Sequence, residues 1–234
     1  SSVYMSVIPA IVAGTKEFIL TTPPKVNEKA SLGIKAACGL LSKYDISLRL
    51  FRIGGAQAIA AMAFGTNQIP RVDKIVGAGN IFVNLAKKEL YGIVGIDGIA
   101  GPTEAMIIAD ESSNVKYVCY DFLAQAEHDI MAIPIILTHS QNFAKEVQAE
   151  IKKEVYKMER FAIISQSIKN KGGIILTNSL KQSIELANNF APEHLSLMIR
   201  NPDEVIPKIS NAGGIFIGDY SYEVLGDYIA GPSH

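Results

Sequence analysis

The sequence predicts an α/β protein with mainly parallel sheets, and three observations support this class. Apolar, β-rich runs alternate with helical segments along the whole chain. Most of these runs are short and apolar on both faces, as strands are when helices cover each side of a parallel sheet. Asn or Ser stands where several helical segments begin, as expected for N-caps. Successive βα units of this kind connect by right-handed crossovers and build an α/β fold.

The predicted strands and helices alternate at intervals typical of βα units. The strands cover residues 17–21, 48–53, 73–76, 93–97, 104–109, 134–138, 173–177, 195–199 and 214–218. The helices cover residues 3–13, 27–41, 55–65, 80–90, 115–127, 140–157 and 179–189. The predicted N-caps are Asn27, Asn80, Ser140 and Ser179, and the predicted C-caps are Gly14 and Gly65.

The Gly-Ile-Ala-Gly-Pro stretch at 98–102 is the predicted domain boundary. About four or five βα units lie on either side of it, which favours two lobes over one long sheet. We therefore expect two doubly wound, Rossmann-like lobes, residues 1–100 and 101–234.

Composition excludes several classes of protein. Hydrophobic residues make up 48% and charged residues 19% of the chain, which excludes disorder as the main state. The net charge of −1 provides no broad electrostatic surface for nucleic acid or anionic lipid, and no apolar run reaches the roughly 20 residues of a membrane span. Cys38 and Cys119 are expected to be reduced core thiols, which favours the cytoplasm. The low charge also suggests that another chain covers some apolar surface.

Three short polar stretches stand out from this apolar background: Ala-Gln-Ala-Glu-His-Asp at 124–129, Ala-Pro-Glu-His at 191–194, and the segment 226–234. Each places a histidine near carboxylates, which is what a zinc site or a general acid/base pair requires. Gln125 and His128 lie three apart in a helical pattern, so their side chains would stack about 5–6 Å apart on one face. An ordinary polar helix end is the alternative interpretation of that pair.

The stretches at 191–194 and 226–234 also allow both a functional and a structural interpretation. Glu193 and His194 begin a predicted strand, and such a pair can divide water activation from proton transfer. A purely structural helix-end pair is the alternative. Asp227 and His234 lie in a Gly-Pro loop that would present both side chains at a fixed angle, whereas a turn residue capping a backbone amide would explain Asp227 equally.

Glycine-rich turns join strand to helix at 54–57 and 77–80. Such turns let a phosphate approach the N–H groups at a helix N-terminus. The full dinucleotide fingerprint is absent because Phe82 replaces its third glycine, so close packing alone is an equal explanation.

Six motifs in register resemble the histidinol dehydrogenase family. They are Gly-Gly-Ala-Gln-Ala-Ile-Ala-Ala at 54–61, Val-Asp-Lys-Ile-Val-Gly-x-Gly-Asn at 72–80, Ile-Asp-x-Ile-Ala-Gly-Pro-Thr-Glu at 96–104, Leu-Ala-Gln-Ala-Glu-His-Asp at 123–129, Ala-Pro-Glu-His-Leu at 191–195 and Gly-Asp-Tyr-x-Ala-Gly-x-x-His at 226–234. The resemblance implies oxidation of L-histidinol through L-histidinaldehyde to L-histidine with two NAD, one zinc per subunit, and a homodimer. It assigns NAD to lobe 1–100 and zinc with substrate to lobe 101–234.

The resemblance also implies a role for individual residues. The implied zinc ligands, which also contact substrate, are Gln125, His128 and Asp227. Glu193 matches the base that activates water, and His194 matches the proton-transfer residue in the substrate site. The further implied contacts are Thr103 and His234 with substrate, and Gln57 and Asn80 with NAD.

Some features depart from the family pattern. The chain looks cut at both ends, and the family segments that supply a fourth zinc ligand, a substrate-binding Glu and an NAD-contacting Tyr have no counterpart in it. Ala78 replaces the usual Pro of the 77–80 turn. We expect this chain alone to bind zinc weakly and to turn over little. A paralogue that oxidises another small alcohol and an inactive two-lobe fragment are the alternative hypotheses.

Overall fold

The computed structural model describes residues 2–24 and 30–226, in which helices and strands alternate. The helices are α1 Ser2–Val12, α2 Leu32–Leu41, α3 Ala56–Phe64, α4 Ile81–Leu90, α5 Val115–Ala126, α6 Gln141–Glu154, α7 Phe161–Asn170, α8 Leu180–Phe190 and the single turn α9 Glu223–Leu225. The strands are β1 Glu17–Thr21, β2 Ser47–Phe51, β3 Lys74–Ile75, β4 Gly95–Ile96, β5 Glu104–Ala109, β6 Ile133–Thr138, β7 Gly173–Leu176, β8 His194–Met198 and β9 Gly214–Ile217. In the described part of the chain, no helix is both long enough and apolar enough to cross a membrane.

The chain divides into two compact units between Gly101 and Pro102. In the second unit, five parallel strands lie in the order β7-β6-β5-β8-β9. Counted within this unit, the order is 3-2-1-4-5, which is the doubly wound arrangement with its reversal between β5 and β8. The predicted α/β class with parallel sheets is confirmed.

Alternate residues of β5 enter cores on opposite faces of this sheet. Ile107 and Ala109 pack among residues of α5, α6 and α7, whereas Met106 and Ile108 pack with residues of α8. Both faces are therefore covered by helices, which explains why the strand has no polar alternation.

The first unit contains two separate two-stranded parallel sheets, β1-β2 and β3-β4. The sequence predicts one doubly wound sheet for this lobe, whereas the structure describes two short ladders of two strands each. β3 pairs with β4 over two residues, and Gly77 soon follows with a φ of +114°, which an extended strand cannot accommodate. Ile59, Met62, Ile69, Ile75 and Val94 form the buried core of this unit.

Each predicted strand is present, within two residues at either end. The side chains of Asn80, Ser140 and Ser179 accept hydrogen bonds from the backbone as the predicted N-caps. Helix α2 begins after Ser31, later than predicted, and the expected cap Asn27 lies outside the described residues.

Two helical regions differ from the prediction. Helix α6 ends at Glu154, and the predicted final turn is a 3-10 helix over Val155–Lys157. Helix α7 was not predicted, because Arg160 at its N-cap position makes no side-chain capping bond and gives no start signal.

Candidate functional site

The Pro-Glu-His corner lies where β8 enters the sheet. Helix α8 ends at Phe190. Its C-cap residue Ala191 has a left-handed φ of 55°, and buried Pro192 turns the chain toward the strand. The N–H groups of Gly213 and Gly214 donate to the carbonyl oxygens of Pro192 (3.0 Å) and Glu193 (2.8 Å). This pairing fixes the backbone while the Glu193 side chain stays exposed at the amino-terminal edge of the sheet.

Helix α5 carries two polar side chains on its buried face. Asp121 and Gln125 are one turn apart, and both are nearly inaccessible to solvent among apolar neighbours. Asn114 caps the helix by accepting from the N–H of Lys116, and the helix ends at Ala126. Because strand and helix run antiparallel in a βα unit, Gln125 lies toward the edge where β8 begins.

His128 departs from its prediction. It lies beyond the end of α5, in the following turn, and its side chain is exposed. Its N–H donates to the carbonyl oxygen of Gln125 at 3.2 Å, a bond that tightens the last turn. Of the predicted Gln-x-x-His pair, the structure therefore places only Gln125 on the buried face of the helix.

The Glu223 side chain contacts a residue of α5 and a residue of β8. The Nε2 group of Gln125 donates to Oε2 of Glu223, and Nδ1 of His194 lies 3.4 Å from Oε1 of the same carboxylate. The imidazole of His194 also meets the ring of Phe216 edge-on, at 5.8 Å between centroids. Glu223 is 3% exposed, so this is a buried polar contact between residues far apart in sequence.

Asp121 extends the same cluster toward the middle of β8. The Ser196 hydroxyl donates to its Oδ2 at 3.0 Å. Burial raises the pKa of Asp121 to about 6, with a further contribution from the nearby Glu223 charge, although the hydrogen bond from Ser196 acts in the opposite direction. We call Asp121, Gln125, His194, Ser196 and Glu223 the α5 cluster.

The α5 cluster contains three buried side-chain atoms without a hydrogen-bond partner. They are Oδ1 of Asp121, Oε1 of Gln125 and Nδ1 of His194. Buried polar atoms are normally paired, and unpaired ones are commonly associated with ligand or catalytic roles. The cluster therefore has hydrogen-bonding and coordinating capacity that the described protein does not use.

The chemistry of the potential ligand atoms in the α5 cluster is compatible with a zinc ion. The free Oε1 of Gln125 is an oxygen donor, and amide oxygen, imidazole and carboxylate form an N/O set compatible with zinc. Among residues 2–24 and 30–226, no three His, Cys, Asp or Glu side chains are grouped as metal ligands. The predicted ligand Asp227 and the predicted substrate contact His234 lie outside the described residues.

Thr103 lies at the same edge of the sheet as the corner. It directly precedes β5 and is half-buried, and its carbonyl oxygen accepts from the N–H of Ile133 at 2.9 Å. Ala105, two residues later, pairs with His194 in the ladder between β5 and β8. Thr103 and the Glu-His corner therefore begin neighbouring strands.

The predicted cofactor contacts lie in the first unit, at the starts of α3 and α4. Gln57 is exposed in the first turn of α3, whose N-cap residue Gly55 makes no side-chain capping hydrogen bond. Asn80 caps α4 through a 3.2 Å bond from the N–H of Val83. A Cβ on Gly79 would lie 2.5 Å from the Val83 side chain, so close packing explains this glycine.

The ion pair between Lys87 and Asp97 holds the 77–80 turn in place, and the sequence analysis did not predict it. Lys87 is 2% exposed; its Nζ donates to Oδ1 of Asp97 and to the carbonyl oxygen of Gly77. The N–H of Gly77 donates to Oδ2 of Asp97 at 2.7 Å. Burial raises the pKa of Asp97, but the bonds from Lys87 and Gly77 outweigh it and hold the pKa below its usual value. The N–H and the carbonyl oxygen of Gly77 are therefore both paired within the protein, which fixes the backbone of this turn.

Sequence reasoning also missed Asp121, Ser196 and Glu223. Asp121 carried the one available signal, because an acidic residue four positions before Gln125 falls on the same helical face. Ser196 and Glu223 carried none, since Ser196 is a single polar residue within β8 and Glu223 is an ordinary acidic residue at the start of the short helix α9.

Comparison with known proteins gives a consistent family. A family model described as histidinol dehydrogenase matches residues 1–234. The histidinol dehydrogenases of Lactococcus lactis and Caldanaerobacter subterraneus are 46% and 50% identical to this chain, over 100% of it and 53% of each relative. The chain thus spans about half the length of the curated relatives it matches.

Solved structures are similar over nearly the whole chain. The crystal structure of histidinol dehydrogenase from Elizabethkingia anophelis has a TM-score of 0.90 and 37% identity, and the match covers 98% of this chain and 52% of that one. An acetylating aldehyde dehydrogenase from Geobacillus thermoglucosidasius has a TM-score of 0.51 at 12% identity, over 92% of this chain and 67% of that one. At that identity the second likeness concerns the fold alone.

Proposed function

Because the chain belongs to the histidinol dehydrogenase family, we propose that its protein oxidises L-histidinol to L-histidine through L-histidinaldehyde, with NAD and zinc. The observation that carries this proposal is the α5 cluster. It joins Gln125 and His194, two residues from separate family motifs, through one buried carboxylate. Its unpartnered Gln125 Oε1 supplies an oxygen donor of the kind that zinc accepts.

Zinc would be held by Gln125, His128 and Asp227, where it would anchor the substrate and act as a Lewis acid. Gly226, the residue before Asp227, lies against Phe216, since a Cβ on Gly226 would be 3.0 Å from that ring. The same ring contacts His194. This proximity supports including Asp227 in the proposed ligand set.

His194 would transfer protons in both oxidation steps. Its imidazole is partly exposed and is held between the Glu223 carboxylate and the Phe216 ring. A neutral imidazole so held can accept a proton from the substrate hydroxyl and release it again near neutral pH.

Glu193 would activate water for hydration of the aldehyde. Its side chain is exposed next to His194 while its backbone is fixed by Gly214, so the carboxylate can meet water at a defined position. Thr103 and His234 would complete the substrate contacts. The hydride would leave to NAD, bound through Gln57 and Asn80 in lobe 1–100, while lobe 101–234 carries zinc and substrate.

The proposal extends to assembly and compartment. The family resemblance supports a cytoplasmic homodimer, and the low charge of the chain is consistent with surface covered by a partner. Mass measurement of the native protein in solution tests the dimer.

The division of roles between the two corner residues is tested with Glu193→Gln in the complete protein encoded by the gene. Alcohol oxidation needs no added water, whereas aldehyde oxidation needs the hydrate. We expect NADH formation from L-histidinaldehyde to fall by at least about tenfold more than formation of the aldehyde from L-histidinol. Each half-reaction is measured separately by stopped flow.

Glu204→Gln is the matched control, because Glu204 is an exposed carboxylate of the same unit in a 3-10 turn away from the corner. It should leave both half-reactions unchanged. Equal losses in the two half-reactions of Glu193→Gln would refute the assigned role of Glu193.

A further inference from the structure

The buried Glu223 carboxylate makes two polar contacts at once. Its Oε2 accepts from Nε2 of Gln125, while its Oε1 faces Nδ1 of His194 at 3.4 Å. It therefore contacts a proposed zinc ligand and the proposed proton-transfer residue simultaneously. Glu223 lies in no recognised motif, and it is held in place by the short helix that follows β9.

The contact with Gln125 determines which way the amide faces. A carboxylate can only accept hydrogen bonds, so the NH2 group of the amide must point toward Glu223. The amide oxygen is then turned away from the carboxylate, and Oε1 has no partner within the described protein. With an apolar residue at 223, nothing identified in the structure would distinguish the two amide orientations.

The carboxylate near His194 favours one imidazole tautomer. Oε1 of Glu223 lies 3.4 Å from Nδ1 without a hydrogen bond between them, so the preference is electrostatic: the negative charge favours a proton on Nδ1, which leaves the lone pair on Nε2. The edge-on contact with Phe216 restricts rotation of the same ring. Nε2 is thus the nitrogen able to accept a proton.

We propose that Glu223 is a positioning residue: it fixes the Gln125 amide with its oxygen free as a ligand, and it fixes the His194 tautomer with Nε2 free to accept a proton. This inference rests on the proposed function for its catalytic consequence. Its structural consequence, the imidazole tautomer, is independent of that function.

The tautomer is tested first, in the metal-free wild-type protein labelled with 15N-histidine. His194 is assigned by its loss in His194→Asn, at a pH where the ring is neutral. We expect the chemical shifts of the Nδ1–H tautomer. A dominant Nε2–H tautomer would overturn the proposal, and this readout requires neither zinc binding, nor turnover, nor a variant of Glu223.

The effect on the ligand is tested with Glu223→Gln in the complete protein. The introduced amide can donate to Oε1 of Gln125 and so occupy the proposed ligand atom. We expect zinc affinity, measured by competition with a chromophoric chelator, to fall by about 10- to 100-fold. We expect kcat to fall by a similar factor and KM for L-histidinol to change less.

Glu204→Gln serves as the control and should keep zinc affinity and kcat within about twofold of wild type. A Glu223→Gln protein that is folded by circular dichroism and keeps both quantities within twofold would overturn the proposal. If Glu223→Gln does not fold, Glu223→Asp, which retains the charge with a shorter reach, is measured in its place against the same threshold.

A double-mutant cycle separates positioning from a general structural role. If Glu223 acts on the metal through Gln125, then Glu223→Gln should reduce zinc affinity much less in a Gln125→Ala background than in wild type. Equal reductions in the two backgrounds would contradict it. A wild-type protein that forms no NADH from L-histidinol would instead refute the proposed function and leave the tautomer result standing.

Discussion

Two polar regions of the second unit, one at each end of the parallel strands, differ in how completely their groups are paired. At the carboxyl-terminal edge, Asp110 accepts from the N–H and hydroxyl of Ser112 and from the N–H of Arg200. Ser113 there donates to the carbonyl oxygen of Met198. We call Asp110, Ser112, Ser113 and Arg200 the carboxyl-edge network. Toward the other edge, three buried atoms of the α5 cluster have no partner among the described residues.

The position of the unpaired atoms is informative because ligands of doubly wound proteins usually bind beyond the carboxyl ends of the strands. Here the carboxyl-edge network uses its polar groups to join loops to one another. The residues proposed for chemistry begin strands instead: His194 begins β8 and Thr103 precedes β5. The unpaired polar atoms and the residues proposed for chemistry therefore both lie away from the edge that the general rule for the fold favours.

The largest expected difference between the two regions is in activity. Gln125→Ala removes the unpaired oxygen and should lower kcat/KM for L-histidinol by at least about 100-fold, because a proposed ligand is lost. Asp110→Asn, which changes a carboxylate of the carboxyl-edge network, should keep kcat/KM within about twofold. Steady-state NADH formation measures both. A comparable loss in the two variants would remove the functional distinction between the regions.

A second prediction concerns the close packing that holds the Glu-His corner. A Cβ on Gly213 would lie 2.6 Å from the carbonyl oxygen of Glu193, so Gly213→Ala must displace that peptide. We expect a loss of about 1–3 kcal/mol in the free energy of unfolding and a loss of about tenfold in kcat. Urea unfolding and initial rates measure the two effects.

Gly173→Ala is its matched control, because Gly173 begins the edge strand β7 of the same sheet and a Cβ there meets nothing within 4 Å. That variant should retain wild-type activity and stability within error. If Gly213→Ala behaves like Gly173→Ala, the corner is not held by this contact.

A third prediction concerns the pH dependence of stability, because the pKa shifts of Asp121 and Asp110 have opposite signs. Burial raises the pKa of Asp121 from 3.8 to about 6, so its ionisation in the folded protein costs stability as pH rises from 4 to 7. Asp121→Asn removes that cost and can still accept from Ser196. Its free energy of unfolding relative to wild type should therefore rise by up to about 3 kcal/mol over this interval.

Asp110 should behave in the opposite way. Burial raises its pKa, but the hydrogen bonds from Ser112 and Arg200 outweigh this and lower the pKa below 3.8. Its stabilisation is then nearly complete above about pH 5 and is lost as pH falls through the lowered pKa. Asp110→Asn should be less stable than wild type by about 1 kcal/mol at pH 7, with a constant difference from pH 5 to 7. Urea titrations at each pH test both variants, and parallel curves for them would contradict the assigned shifts.

The local elements and the family follow from the amino-acid sequence alone. Apolar runs and N-caps such as Asn80 and Ser140 located the strands and several helix starts, because these signals depend on neighbours within one or two turns. The motifs around Gln125 and Glu193 identified the family, because they are contiguous in the chain. Helix α7 was missed, because it lacks a capping signal.

The contacts within the α5 cluster, in contrast, depend on long-range packing. Glu223 contacts Gln125 across 98 positions in the chain, and Ser196 contacts Asp121 across 75. Such contacts depend on the order of the strands and on the path of the chain after β9, which local periodicity does not specify. The pairing of each polar atom, and hence the difference between the α5 cluster and the carboxyl-edge network, is set by this long-range packing.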